Sequence, residues 1–422
     1  MAAVKIAMER ARACRAEINA FVTLSDVAEV QATESERRRA DGTARLLEGV
    51  PVAVKDLIDT KDIETSYGSK VYRGNHPTQD AVVVDTLRRN GAIVIGKTTT
   101  HEFAWGVTTE SDEFGDTLNP WDLTTIPGGS SGGAAASIAF GAVSAGLGTD
   151  TGGSVRIPAS LCGVVGFKPS FGRLPTTGVF PLAPSLDHVG VLGATVGDIS
   201  RLSAAFGIET AHRTSAPPEL LAVREMPTVP LDESVALAFD VALDRISAQF
   251  PLELAASATV FDNAFDIFAH IVRFEAGAIH LARHDVEFIR ANYSAESCER
   301  VEAALDLKIH DYAYAQGQRR CFTNRLSNFL DDRDFLLLPT TPCTAPKLRT
   351  RTMAIGEWTG TAREALMTYT CPFNLSGCPA MSVPLRHPSL RLPVGMQIVG
   401  KRGQDESLLE FARCIESIIK AE

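Results

Sequence analysis

Three serines and one lysine carry the reactive chemistry that this sequence offers. Ser130 and Ser131 stand in Pro127-Gly128-Gly129-Ser130-Ser131-Gly132-Gly133, and Ser154 follows a second glycine pair in Asp150-Thr151-Gly152-Gly153-Ser154-Val155-Arg156. Glycine admits positive φ and leaves the backbone unshielded, so successive N–H groups can converge on one point. Converging N–H groups beside a serine are what an oxyanion requires. Phosphate binding is the competing use, but neither stretch spells a Gly-x-x-x-x-Gly-Lys-Ser/Thr or Gly-x-Gly-x-x-Gly loop. The plain alternative for any single Gly-Gly-Ser is a flexible loop.

A serine hydroxyl is a weak nucleophile until a base takes its proton. None of the nine histidines (His76, His101, His188, His212, His270, His280, His284, His310 and His387) sits in a catalytic-triad context. Residues 129–133 formally read Gly-x-Ser-x-Gly with Ser131 central, yet no clean strand precedes them as that elbow needs. His101-Glu102 lacks the second histidine of a zinc-binding helix, and the eight cysteines include no Cys-x-x-Cys pair. No metal and no cofactor is expected. The remaining base is Lys55, at the charged end of the apolar run Val50-Pro51-Val52-Ala53-Val54. Burial without a carboxylate partner penalises an ammonium and can lower its pKa by several units from about 10.4. Position alone leaves Lys55 either as such a base or as a strand-end lysine that reaches solvent.

These residues must be positioned by strands and helices in alternation. Residues 20–24, 49–55, 92–97, 144–149 and 163–169 have the continuous apolar character of buried strands, and residues 26–41, 81–90 and 132–142 read as helices between them. Residues 208–229, with Pro217, Pro218, Pro227 and His212-Arg213, read as a surface connection. Residues 233–330 are mainly helical by periodicity; residues 334–339 and 381–384 read as returning strands, and residues 408–419 as a closing amphipathic helix. The expectation is an α/β fold, a large mixed β-sheet flanked by helices, with residues 1–422 forming one domain: a core of 49–205, a variable helical part of 206–310 and a sheet-completing part of 311–422.

Composition bounds the function classes. The 422 residues are 45% hydrophobic and 22% charged, with 41 basic and 51 acidic side chains. An excess of about ten negative charges argues against nucleic acid and anionic membrane surfaces as partners. Residues 127–149 carry no charge, but Gly, Ala and Ser dominate them, which suits close packing inside a protein rather than a membrane span. The N-terminal residues lack an apolar leader run, and scattered thiols fit a reducing, cytoplasmic setting.

The text around Lys55, Ser130 and Ser154 resembles the amidase signature family. The likeness includes residues 49–56, Asn119-Pro120-Trp121-Asp122, residues 127–133, 148–159 and 163–169, and Pro339-Thr340-Thr341-Pro342, Pro372-Phe373-Asn374-Leu375-Ser376-Gly377 and residues 392–400. Ser130 and Ser154 lie 24 residues apart, the interval the family keeps. The resemblance implies that Ser154 is the acylated nucleophile, Ser130 the bridging serine behind a cis peptide from Gly129, and Lys55 the neutral base. It further implies an oxyanion hole from the N–H groups of Thr151, Gly152, Gly153 and Ser154. Asp150, Arg156 and Ser131 would support that loop, and Lys97, Glu102 and Lys168 would be structural. The implied activity is hydrolysis of an amide or carbamate C–N bond, with an ester as a further possibility, by a monomer or homodimer acting on a small molecule.

Two other functions are compatible with parts of this text. One is the A-type subunit of a glutamine-dependent aminoacyl-tRNA amidotransferase, which shares the Lys–Ser–Ser core. That subgroup's Arg- and Tyr-rich stretch is not reproduced over residues 299–314, and its acidic glutamine-recognising position falls on Met367. The other is a non-catalytic binding relative, against which the intact Lys55, Ser130 and Ser154 stand. Substrate selection is expected from segments near 103–108, 180–187 and 261–284. There Phe261, Phe265, Phe268 and Val272 recur at helical spacing, as core or as a pocket wall, and the scarcity of charge points to an apolar or aryl substrate group.

Overall fold

The computed structural model describes residues 1–210, 217–385, 387–388 and 390–420. Its organising element is an eleven-stranded mixed sheet. In chain order the strands are β1 (Phe21–Leu24), β2 (Pro51–Lys55), β3 (Ile93–Thr98), β4 (Ala145–Asp150), β5 (Val165–Lys168), β6 (His188–Gly193), β7 (Leu220–Ala222), β8 (Leu252–Leu254), β9 (Phe335–Pro339), β10 (Ala380–Leu385) and β11 (Val394–Gly400). In space they lie in the order β1-β3-β2-β4-β6-β5-β10-β11-β9-β7-β8. β2 runs parallel to both β3 and β4, β7 runs parallel to β8 and β9, and every other neighbouring pair is antiparallel.

The central strands are buried on both faces, which is why they read as unbroken apolar runs rather than alternating ones. The helix Gly132–Ala139 packs against β2 and β4 with all but its last residue buried. Its small side chains allow that approach: a Cβ on Gly133 would meet the Ala20 carbonyl and the Thr99 backbone. Its end at Ala139 falls short of the expected 142, since Phe140 and a left-handed Gly141 close the turn. On the far side of the molecule the C-terminal helix Asp405–Lys420 lays Leu408, Leu409, Ala412 and Ile415 against β10 and β11.

Two parts of the sequence reading are corrected. Residues 217–229 are not only a surface connection, because Leu220–Ala222 is a buried strand that hydrogen-bonds between β8 and β9. The His212-Arg213 part of that segment lies outside the described residues. The helical region after residue 233 is interrupted by β8, and a hairpin of Thr352–Ile355 and Trp358–Thr361 stands outside the main sheet. The helical spacing of the phenylalanines also breaks. Phe261 sits in a 3-10 turn, Asn263 is left-handed, and the long helix begins only at Ala264 and runs to Leu281. Among the described residues, no helix is long and apolar enough to cross a membrane.

Candidate active site

The parallel pairing of β2 with β4 sets Val54 opposite Leu147, so the chain ends of both strands emerge side by side. Open sheets gather ligands at such carboxyl ends. Lys55, the last residue of β2, is fully buried and donates from Nζ to Ser130 Oγ and to Thr149 Oγ1, each at 2.7 Å. Burial lowers its amine from 10.5 to about 7, against the opposing pull of Asp150 and Asp187. Both Lys55 partners are neutral hydroxyls, so at neutral pH a large share of the side chain carries no proton to give up first.

The Gly129–Ser130 peptide is cis. Ser130 Oγ faces Lys55, while Thr109 Oγ1 donates to the Gly128 carbonyl at 2.8 Å. Ser131 N–H donates to the Ser154 carbonyl at 3.1 Å and so couples the two glycine-rich loops. The Ser131 hydroxyl donates to the Thr149 carbonyl at 3.1 Å and accepts from the Thr149 N–H at 3.2 Å. Ser131 therefore supports the lysine through Thr149 rather than by touching it. Thr149 carried no signal in the sequence beyond its place in the signature text, because its hydroxyl contact depends on cross-strand register.

Residues 150–156 are held by a buried ion pair. Asp150 Oδ1 accepts from Arg156 Nη2 at 2.8 Å, from Asn374 Nδ2 at 2.8 Å and from the Gly153 N–H at 2.8 Å. Arg156 also donates to Gln397 Oε1 at 2.6 Å and to the Thr370 carbonyl at 2.9 Å. Burial pushes the Asp150 carboxyl up, but the Arg156 guanidinium outweighs it and holds the group well below the ordinary carboxylate range. The Gly153 N–H is thus committed to Asp150. Of the four N–H groups expected to form an oxyanion hole, the structure leaves Thr151, Gly152 and Ser154 for that use.

Around the Gly152-Gly153-Ser154 loop the packing is close. Thr370 Oγ1 donates to the Gly152 carbonyl at 2.7 Å, and Thr151 Oγ1 donates to Asp187 Oδ1 at 2.6 Å. A side chain on Gly152 would collide with Met367 Cε and with Phe268 Cζ. Phe268 and Met367, the latter on the helix Ala362–Thr368, are therefore buried side chains packed directly on the Gly152 backbone. Segment 180–187 joins Leu57, Thr149 and Thr151 in lining a small cavity of ≈ 50 Å³. Phe103 stacks on Phe180 behind it, with centroids 5.2 Å apart. Lys97 donates to the Ile58 carbonyl at 2.6 Å and Lys168 to the Cys378 carbonyl at 2.6 Å, while Glu102 accepts from the Ser294 N–H at 3.0 Å. All three hold backbone segments together.

The amidase family model matches residues 2–409. The chain belongs to the amidase signature family. This amidase-family chain is 35% identical to a Geotalea daltonii relative, over 97% of this chain and 92% of the relative. That relative is named as the A-type subunit of glutamyl-tRNA(Gln) amidotransferase. Among solved structures the chain is similar to one described as an amidase, with TM-score 0.90 and 33% identity over 99% of this chain and 95% of that one. It is also similar to the corresponding A-type amidotransferase protein of Thermotoga maritima, with TM-score 0.78 and 31% identity over 98% and 90%. As a family member the chain acts on amide C–N bonds.

Proposed function

We propose that this chain hydrolyses the C–N bond of a small amide or carbamate through an acyl-enzyme on Ser154. One observation carries the reading: a fully buried lysine, brought to about 7 by burial, 2.7 Å from the hydroxyl of a serine that can relay its proton. Neutral Lys55 takes the proton of Ser130, and Ser130 takes that of Ser154, whose Oγ adds to the carbonyl carbon. The N–H groups of Thr151, Gly152 and Ser154 hold the negative oxygen that forms. The same relay then returns the proton to the leaving nitrogen as the C–N bond breaks. Water enters, gives its proton along the same line and releases the acid. Phe268 and Met367, packed on Gly152 beside Ser154, are the apolar side chains this reading assigns to the acyl side.

The names of the sequence relatives favour a second reading, an amidotransferase component that takes ammonia from glutamine within a complex. Both readings share the acyl-enzyme and the amine release; they differ in the substrate and in the need for partners. Against the second stand two features: an apolar Met367 at the place of the acidic residue that glutamine recognition uses, and the higher similarity to the solved structure described as an amidase. The test is amine release from small aliphatic amides, anilides and aryl carbamates by the isolated chain, beside Ser154→Ala and Lys55→Ala. Turnover that vanishes in both variants supports the hydrolase. Turnover confined to glutamine in the presence of ATP and partner proteins replaces it with the second reading.

A further inference from the structure

The cavity of ≈ 50 Å³ beside the Gly152-Gly153-Ser154 loop has Thr149, Thr151, Asp187 and His188 in its wall and reaches the surface at Thr176 and Pro184. His188 is 3% exposed and stands opposite Asp150, the chain neighbour of Thr151, in the pairing of β6 with β4. Its Nδ1 faces two carbonyls, that of Leu186 at 2.6 Å and that of Asp150 at 3.2 Å. A carbonyl only accepts, so Nδ1 carries the ring hydrogen and Nε2 presents a bare lone pair. Burial, then Lys168, hold the imidazole well below its ordinary range, which keeps it in this neutral form. Phe171 meets the ring edge-to-face, with centroids 5.3 Å apart. Among the described residues nothing donates to His188 Nε2. The Thr151 hydroxyl is in a matching state. Its hydrogen goes to Asp187 Oδ1 at 2.6 Å, and Asp187 also accepts from the Leu182 and Ala183 N–H groups, so Thr151 Oγ1 is left able only to accept. Two acceptors on one buried cavity wall call for a donor in that cavity.

Resting on the hydrolase reading above, we propose that a water bound in this cavity donates to His188 Nε2 and to Thr151 Oγ1, and that His188 is thereby a positioning residue for the Thr151 N–H in the oxyanion hole. The cavity has room for such a water, and a molecule with two hydrogens serves both acceptors at once. Thr151 is then held through its hydroxyl from two sides, by Asp187 as acceptor and by the water as donor. Its backbone N–H is fixed before charge develops on the substrate oxygen. Preorganisation of this kind appears in the rate of the chemical step and not in ground-state binding. The sequence reading set His188 aside with the other histidines because it looked for a base. A histidine that acts as an acceptor through water leaves no triad pattern to find.

Two substitutions separate the water from the turn that His188 also anchors. An asparagine amide overlays the Nδ1 side of the ring, so His188→Asn keeps a donor for the Leu186 carbonyl and loses the distal acceptor. A glutamine amide reaches the Nε2 position, so His188→Gln keeps the acceptor and loses the Leu186 bond. A crystal structure of the wild type is expected to show a water within about 3.2 Å of Nε2, kept in His188→Gln and lost in His188→Asn. On the aliphatic amides, anilides and aryl carbamates above, kcat in His188→Asn is expected to fall about ten- to a hundredfold with KM little changed. His188→Gln keeps most of the rate. An Nε2 without water, full kcat in His188→Asn, or a loss that is equal in both variants or confined to His188→Gln overturns the inference; the last result assigns His188 to the turn alone. Thermal melts report the fold of each variant, and should His188→Asn fail to fold, the wild-type water and the His188→Gln rate decide. The hydrolase reading fails separately. A wild type with the water in place that turns over none of these substrates keeps the water site and removes the hydrolase, whereas turnover with no water at Nε2 does the reverse.

Discussion

Lys55 Nζ stands 2.7 Å from Thr149 Oγ1, and the two residues occupy the chain ends of adjacent parallel strands. The lysine is thereby fixed by the sheet itself rather than by a mobile loop. Thr149 gives it a second neutral acceptor, so the amine is oriented without a carboxylate that would keep it protonated.

Replacing Thr149 by Val removes that orienting contact and little volume. kcat on a small amide is expected to fall by about ten- to a hundredfold, the scale of a misplaced catalytic group, while KM changes little. Thr149→Ser retains the hydroxyl and most of the rate. Steady-state kinetics with a thermal melt of each variant checks this, and a Val variant at full kcat would refute the role.

The pH dependence follows from which form of Lys55 works. On the proposed mechanism the neutral amine is the base, so kcat/KM is expected to rise as pH climbs through about 7 and to level off on the alkaline side. A rate profile across this range is the measurement. Undiminished activity two pH units below the midpoint would assign the base elsewhere.

The same shift has a consequence for stability. Between about 7 and 10.5 the unfolded chain binds a proton at Lys55 that the folded chain does not, so this lysine's contribution to stability rises with pH across that window and is lowest below it. In Lys55→Met the dependence is absent. The stability difference, variant minus wild type, is therefore expected to shrink as pH rises above about 7, by up to about 1.4 kcal/mol per pH unit. Calorimetric melts at several pH values decide it; a gap that widens with pH contradicts the buried neutral lysine.

Asp150 and Arg156 are both fully buried and mutually paired. Arg156→Met leaves Asp150 as an uncompensated buried charge and is expected to destabilise the fold by about 3–5 kcal/mol. Because Asp150 also holds the Gly153 N–H, activity in the surviving folded fraction falls as well. Denaturant unfolding measures the first effect; unchanged midpoints would mean that the pair contributes nothing.

Met367→Ala opens the space over Gly152. Amides with longer acyl chains gain in kcat/KM relative to acetamide-sized ones, by roughly the one to two orders of magnitude that one or two methylenes supply in an apolar pocket. The ratio of the two specificity constants in variant and wild type is the readout, and an unchanged ratio would place the acyl group elsewhere.

Much of the site was legible before any coordinates. The apolar run made Lys55 readable as the end of a buried strand, but position left its role open, and it was the resemblance to the family that singled out Lys55, Ser130 and Ser154 together. Thr149 and the Gly153–Asp150 bond were not legible, since both depend on the register and turn geometry that bring side chains together across 94 and 3 residues respectively. In the fold, β2, β3 and β4 were readable as long apolar runs. β7 and β8 were not: three residues each, they are strands because β9 offers an edge to β7 and β7 in turn offers one to β8. Phe268 was singled out for its spacing, but the helix that carries it starts at Ala264 and excludes Phe261.

Lys55, Ser130 and Ser154 are set on a strand end and on the loops beside it, whereas Phe268 and Met367, which pack on Gly152, come from two helices flanking the sheet. On the proposed mechanism, reactivity and selectivity therefore reside in separately replaceable parts. A lineage can exchange the helical cover and acquire a new diet while its chemical engine passes unchanged from ancestor to descendant.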